Sequence, residues 1–287
     1  MRCAVDWDRL IDDIAKMKLN MYDLALYTPE GVRVHRFQPC NRCNNCYSVA
    51  KLFVMTAVGM LWDDGLLEMT DPLEKHFRFP ARIHPGWHLA TVEHAMRHTL
   101  GFSQGFLDID VEDMTRYPTD DYLSMIFQKP LDYVPGTHHQ YSDAAFYLLC
   151  RLVDHVSGER MDRLLYRRLF RPMGFGEVAW SRCPKDYPLG ATGLYMSAED
   201  VLRLAVLFLH GGEYEGQRIV SSEWVRRAIA REYEFSVLGP GGLIGKGGMY
   251  GQMCAFSREQ HFAIAWHGHM DDACGERLVS YLDELRA

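Results

Sequence analysis

The chain has 287 residues, of which 48% are hydrophobic and 24% charged, and a formal net charge of -7. That is ordinary globular composition, with enough chain to bury a sizeable core. The absence of any run of Lys or Arg counts against nucleic-acid binding, which needs a basic footprint. The most apolar stretch, 49–62, contains Lys51 and falls short of the roughly 20 residues that span a bilayer.

Residues 6–17 predict an amphipathic helix. They lack an apolar core of export-signal length and turn acidic at Asp6, so the expectation is a soluble, cytoplasmic protein. Residues 20–28 and 32–38 predict two strands joined by a turn at Pro29-Glu30-Gly31. An apolar helix is expected from Ser48 to Asp64, ended by Gly65. Between about 70 and 190 the pattern is helical, broken by Pro and Gly, and clearest over 146–155 and 161–170. Ser197 is placed to cap a further helix, with Asp200 where a capping box usually has Glu. That helix should run to about His210 and stop at Gly211-Gly212. Strands are expected near 249–256 and 261–267, and a last helix over 272–285. Strands at both ends with helices between them predict an α/β fold. Its antiparallel sheet is built from both termini (1–68 and 190–287) and flanked by helices, with an all-helical lobe (69–189) inserted. A cleft between two such lobes is a natural site.

The chemistry starts at the helix opened by Ser48. Through Trp62 its only polar side chains are Ser48, Lys51 and Thr56. A helix apolar on all sides is buried on all sides. A lysine there is costly unless its charge is paired or its pKa falls. Ser48 and Lys51, at i and i+3, share one side of the first turn, as a serine nucleophile and its amine partner would need. The same residues are also compatible with a plain N-cap at Ser48 and a Lys51 that snorkels to solvent.

Two further blocks decide how that turn is read. Pro135-Gly136-Thr137 and Tyr141-Ser142-Asp143 precede a helix, Ala144 to His155, that ends in Val156-Ser157-Gly158. Gly245-Lys246-Gly247-Gly248 opens the late strand. In this order the blocks resemble the serine β-lactamase and penicillin-binding-protein superfamily. Flanking segments are similar too: 61–67, Asp71-Pro72-Leu73, His98-Thr99-Leu100-Gly101, 193–200 and 211–214. The resemblance runs from about residue 20 to the C-terminus. It looks most like the class C branch, with its esterases, D-amino-acid peptidases and 6-aminohexanoate-dimer hydrolase, because Tyr141 stands where that branch has its tyrosine. Ser142-Asp143 superficially resembles the class A Ser-Asp-Asn motif, but no loop supplies that branch's deacylating glutamate.

The resemblance implies that Ser48 attacks a carbonyl while Lys51 and Tyr141 move protons. It implies that Lys246 supports the site electrostatically or holds a substrate carboxylate. The oxyanion would sit between the backbone N–H groups of Ser48 and of Met249, beside Gly247 and Gly248. Lys51 either loses its proton and acts as the base, or stays charged and assists Tyr141. Two departures weaken a β-lactamase reading: Asp143 replaces the usual asparagine, and Gly247 replaces a threonine or serine whose hydroxyl helps hold a carboxylate. The expected function is hydrolysis of small esters or amides through an acyl-enzyme on Ser48. A β-lactamase or D-alanyl peptidase is the alternative, and a non-turnover sensor is an alternative of another class. The expected partner is a small-molecule ester, amide or lactam; the oligomeric state stays open.

No cofactor or metal is expected. Cys40, Cys43 and Cys46 form C-x-x-C-x-x-C, which hints at zinc or iron–sulfur, but no fourth ligand follows at convincing spacing. The eight cysteines read as free thiols, with Cys46 a candidate oxidation-sensitive position. His267-Gly268-His269-Met270-Asp271 resembles a metallo-hydrolase motif but leaves little chain for further ligands. His98 reads as a loop brace.

Overall fold

The computed structural model describes residues 5–284; Cys3 and the end of the expected last helix lie outside them. In chain order the first half holds α1 (Trp7–Met17), β1 (Met21–Thr28), β2 (Gly31–Arg36), β3 (Asn44–Asn45), α2 (Ala50–Asp63), α3 (Val92–Met96) and α4 (Tyr122–Gln128). It continues with α5 (Asp143–Ser157), α6 (Met161–Leu165), β4 (Ala179–Trp180), β5 (Leu194–Met196), α7 (Ala198–Leu209), β6 (Glu213–Tyr214) and β7 (Gln217–Arg218). Last come α8 (Ser222–Ala230), β8 (Ser236–Val237), β9 (Ile244–Gly248), β10 (Gln252–Ser257), β11 (Phe262–Gly268) and α9 (Asp272–Glu284).

The main sheet has the order β2-β1-β11-β10-β9-β8, and its described pairings are antiparallel. Both ends of the chain therefore build one sheet, as expected. Alternation splits its two faces. Leu24, Leu26, Ile264 and Trp266 meet Leu10 and Ile14 of α1 and Leu278 and Leu282 of α9. Ala25, Cys254, Phe256, Ala263 and Ala265 face the other way. They join a core that runs through α7 and α2 into the helices of the middle segment.

α2 is the axis of that core: its residues from Ala50 to Leu61 are all buried. The internal hydroxyl of Thr56 is satisfied by Leu52 O at 2.7 Å. Gly59 has a packing reason. A Cβ there would stand 2.2 Å from the Trp224 indole nitrogen of α8, so only a bare backbone admits that ring.

Two expectations need correction. Tyr47–Val49 is a 3-10 turn and α2 proper begins at Ala50, with no side-chain cap. Ser48 is thus neither its N-cap nor an α-helical residue. The tighter turn keeps i and i+3 side chains nearly eclipsed, so the Ser48–Lys51 relation survives. Second, the Lys246 block does not open the strand expected near 249. It forms its own strand, β9, joined to β10 through a turn at Met249–Gly251. Three glycines in five residues erase the alternation that reveals a strand. At Ser197 the hydroxyl accepts from Asp200 N, and the Asp200 carboxylate takes the Ser197 hydroxyl at 2.9 Å, a closed variant of the expected box.

Asp23 is a buried carboxylate on β1 with Oδ1 unpartnered. Burial, opposed by Arg36, lifts its pKa to about 6, against about 3.9 unfolded. The fold thus favours the neutral acid. That contribution is complete below about pH 4 and lost as pH rises through about 6. Asp23→Asn should raise the unfolding free energy near pH 7.5 by about 1–3 kcal/mol and change it little near pH 4. Urea unfolding at both pH values checks this, and equal gains would contradict it.

Candidate active site

Four segments converge on Ser48. The 3-10 turn presents its hydroxyl, α2 brings Lys51 from beneath, the loop before α5 supplies Tyr141, and β9 supplies Lys246. Ser48 Oγ lies 3.0 Å from Lys51 Nζ and 2.9 Å from Tyr141 Oη. Lys246 Nζ lies 3.4 Å from the same phenol oxygen. Each ammonium also stands 4.8 Å from the Tyr141 ring centroid. Negative charge that develops on the phenol oxygen is therefore flanked by two cations.

Lys51 is fully buried, and three acceptors surround its nitrogen. They are Asp143 Oδ1 at 2.7 Å, Ala191 O at 3.0 Å and Ser48 Oγ. An ammonium has three N–H groups, so the charged form is saturated. Burial alone would lower the Lys51 pKa. Asp143, Tyr141 and Glu234 outweigh it, and the pKa is raised. Of the two states left open by the sequence, the geometry favours the ammonium.

The loop carrying Tyr141 is held by His98, a residue with φ of 54°. Its carbonyl accepts from Gln140 N at 2.8 Å and its Nδ1 accepts from Ser142 N at 3.2 Å. The imidazole lies against the Tyr141 ring with centroids 4.5 Å apart. With Nδ1 accepting, Nε2 carries the proton and donates to Glu234 Oε1 at 2.6 Å. Burial lowers the His98 pKa, in keeping with a neutral ring. His98 is the brace that the sequence suggested.

Glu234 was not anticipated. Its buried carboxylate also meets Lys246 Nζ at 2.5 Å. Burial opposes its charge, but Lys246 and His98 hold its pKa well below the usual range. Lys246 in turn is raised by Glu234 against the cost of burial. Nothing in Glu232-Tyr233-Glu234 distinguishes this carboxylate locally, and its partner His98 is 136 residues away. Asp108 and Asp110 were also missed. Their carboxylates and that of Asp143 lie within 4.8 Å of one another, and Asp110 accepts from Thr192 Oγ1 at 2.9 Å. Burial first, then Asp143, raises the pKa of each. Three carboxylates could gather round a cation, but Asp143 already has the Lys51 ammonium.

Gly248 ends β9 against the backbone of the Ser48 turn. A Cβ there would lie 2.5 Å from Cys46 O and 3.3 Å from Ser48 N. Met249 follows at the start of the turn. Gly247 would accept a Cβ in ordinary contact, with nothing closer than 3.7 Å.

The three cysteines before Ser48 do not converge. Cys43 Sγ reaches Glu177 Oε2 at 3.4 Å, and Cys46 is fully buried. Burial pushes the Cys46 thiol well up and that of Cys43 to about 11. Thiol oxidation proceeds through the thiolate, so Cys46 does not fit the oxidation-sensitive role. Cys40, Cys43, Cys46, Cys150, Cys183, Cys254 and Cys274 are free. His267 ends β11 and the rest of its motif leads to α9.

A family model described as Beta-lactamase matches residues 45–269. The chain belongs to the beta-lactamase family. This is a family of hydrolases, and the match spans the Ser48, Tyr141 and Lys246 blocks. A curated Escherichia coli (strain K12) protein, provisionally named a D-alanyl-D-alanine carboxypeptidase, is 35% identical over 65 residues. That stretch is 23% of this chain and only 15% of the relative. Among solved structures, a provisionally named 6-aminohexanoate-dimer hydrolase from Bacillus anthracis superposes with a TM-score of 0.76 at 14% identity. It covers 97% of this chain and 81% of that one. EstCE1, described as a hydrolase with promiscuous acyltransferase activity, superposes at 0.73 with 14% identity, covering 97% of this chain and 98% of its own. At such identities these two likenesses establish the β-lactamase-type fold.

The Lys51–Asp143 pair is inaccessible, with side chains 0% and 7% exposed. Removing one partner of such a pair costs about 3–5 kcal/mol, whereas replacing both with apolar groups costs little. Asp143→Ala should therefore destabilise by about that amount, and Lys51→Met added to it should restore most of the loss. Urea unfolding of the single and double variants checks this. A double variant no more stable than Asp143→Ala would contradict it.

Proposed function

We propose that this protein hydrolyses small esters or amides through an acyl-enzyme on Ser48. The observation that carries the reading is a serine hydroxyl within hydrogen-bond reach of both a buried ammonium and a phenol flanked by a second ammonium. Tyr141, whose oxygen lies 2.9 Å from Ser48 Oγ and 3.4 Å from Lys246 Nζ, is the general base that takes the Ser48 proton as Oγ attacks the carbonyl carbon. Lys51 keeps its three protons and orients Ser48. The oxyanion is received by the N–H groups of Ser48 and Met249, where one such donor is worth roughly 3–4 kcal/mol. Tyr141 then protonates the departing alcohol or amine. In the second half it takes a proton from water, which attacks the acyl carbon, and returns that proton to Ser48 Oγ as the acid is released. Free thiols at seven positions fit a reducing, cytoplasmic setting, and no described helix is long and apolar enough to cross a membrane.

Intact mass after a fluorophosphonate should show a single adduct that disappears in Ser48→Ala. Labelling of that variant at the same peptide would refute the assignment.

Electrostatics supports a preference for neutral or amine-bearing substrates. Lys246 is engaged by Glu234, Gly247 offers no hydroxyl, and Asp108 and Asp110 gather carboxylates around Asp143, the partner of Lys51. Two unit charges about 4 Å apart interact by about 4 kcal/mol at an effective dielectric of about 20, enough to disfavour a substrate carboxylate. A lactamase or D-alanyl peptidase would need that carboxylate held. The test compares kcat/KM for a neutral ester and for nitrocefin, in wild type and in Asp143→Asn with Gly247→Thr. A Cβ at Gly247 makes only ordinary van der Waals contacts. The ratio should shift toward nitrocefin. An unchanged ratio, or a wild type already efficient on nitrocefin, would favour the lactamase reading.

A further inference from the structure

We infer that Gln252 and His267 form a positioning pair that fixes the turn carrying the Met249 N–H, and through it the oxyanion site. The inference rests on the acyl-enzyme reading above. The turn Met249–Gly251 is unusual backbone: Tyr250 has φ of 60° and Gly251 of 79°. Such a conformation persists when the surroundings over-determine it, and here its three carbonyls are held from one side. Gly251 O accepts from the Trp266 indole at 2.7 Å and Tyr250 O from Met270 N at 3.0 Å. The Gln252 amide nitrogen reaches Gly268 O at 2.7 Å, Met249 O at 3.2 Å and Tyr250 O at 3.4 Å.

Gln252 is 2% exposed and opens a strand whose next four residues, Met253 to Phe256, are apolar and buried. Its orientation is set by Gly268, whose carbonyl takes the amide N–H and whose N–H meets Oε1 at 3.3 Å. Oε1 must therefore accept the contact with His267 Nδ1 at 2.9 Å, so Nδ1 carries the histidine proton. His267 is 1% exposed, and its Nε2 has no hydrogen-bond partner. Burial lowers its pKa to about 4, so the ring is neutral and acts as a fixed donor. The pair's polar contacts converge on the turn and on the strand end behind it.

A steric chain then links the pair to the nucleophile. A Cβ at Gly248 would lie 3.2 Å from Gln252 Cβ, 2.5 Å from Cys46 O and 3.3 Å from Ser48 N. Gly248 at the end of β9 is thus hemmed in by Gln252 and by the Cys46–Ser48 backbone, with Met249 next in the chain. A displaced Gln252 would carry the Met249 N–H with it. His267 and Gln252 touch no substrate; their effect is on where the donor points.

The experiment measures kcat and KM for a neutral ester, and affinity for a boronate transition-state analogue, in Gln252→Met, His267→Phe and His267→Asn. Asparagine places an amide N–H near the position of histidine Nδ1–H. A misplacement near 1 Å at a reacting centre costs about 100-fold. Gln252→Met and His267→Phe should each lower kcat by about that factor with little change in KM, and should weaken boronate binding in parallel. His267→Asn should recover most of the rate. Should Gln252→Met fail to fold, the two His267 variants carry the test. Undiminished kcat in the folded variants overturns the inference, as does equal loss in His267→Phe and His267→Asn, which marks a merely structural role. A wild type that neither turns over ester nor labels at Ser48 overturns the acyl-enzyme reading and the pair with it.

Discussion

The structure depends on keeping one ammonium charged in a place without water. Lys51 sits on a helix that is apolar on every side, where a bare charge is untenable. Asp143, Ala191 O and Ser48 Oγ satisfy its three protons, and each comes from a different part of the chain. Forming this site requires α2, the start of α5 and the segment before β5 to be in place together. The Lys51 environment is therefore complete only in the fully folded chain. The ion pair is weak evidence for stability as such. Its value lies in fixing which groups stand beside Ser48 and in what charge state.

A second pair, Lys246 with Glu234, also stands against Tyr141. Two cations and two carboxylates leave the immediate surroundings near neutrality, while the phenol oxygen is nearest to the cations. The arrangement favours negative charge at one atom without creating a general anion site. Asp108 and Asp110 add two further carboxylates around Asp143.

The parts of this site that were legible in the sequence are those that break a local pattern. Ser48 and Lys51 interrupt an apolar helix, and Tyr141 precedes a clear helix start. The sheet was legible from alternating segments at the two ends of the chain. What stayed hidden was set at long range or by backbone alone. The 3-10 turn under Ser48 is a matter of a few dihedral angles. β9 is too rich in glycine to alternate. Glu234 looks like one of many surface acids until the fold brings it to His98 and Lys246. Asp108-Ile109-Asp110 carries no signal until Asp143 stands beside it. The C-x-x-C-x-x-C run shows the converse: a strong local pattern whose members the fold sends to different surroundings.

The contact between Gly59 and Trp224 bears on motion. Since not even a methyl group fits between α2 and the indole of α8, the two helices cannot slide past one another without opening the core. The helix that brings Lys51 beneath Ser48 is thereby locked against α8 at its far end, and the position of its first turn is inherited from a contact made deep in the core.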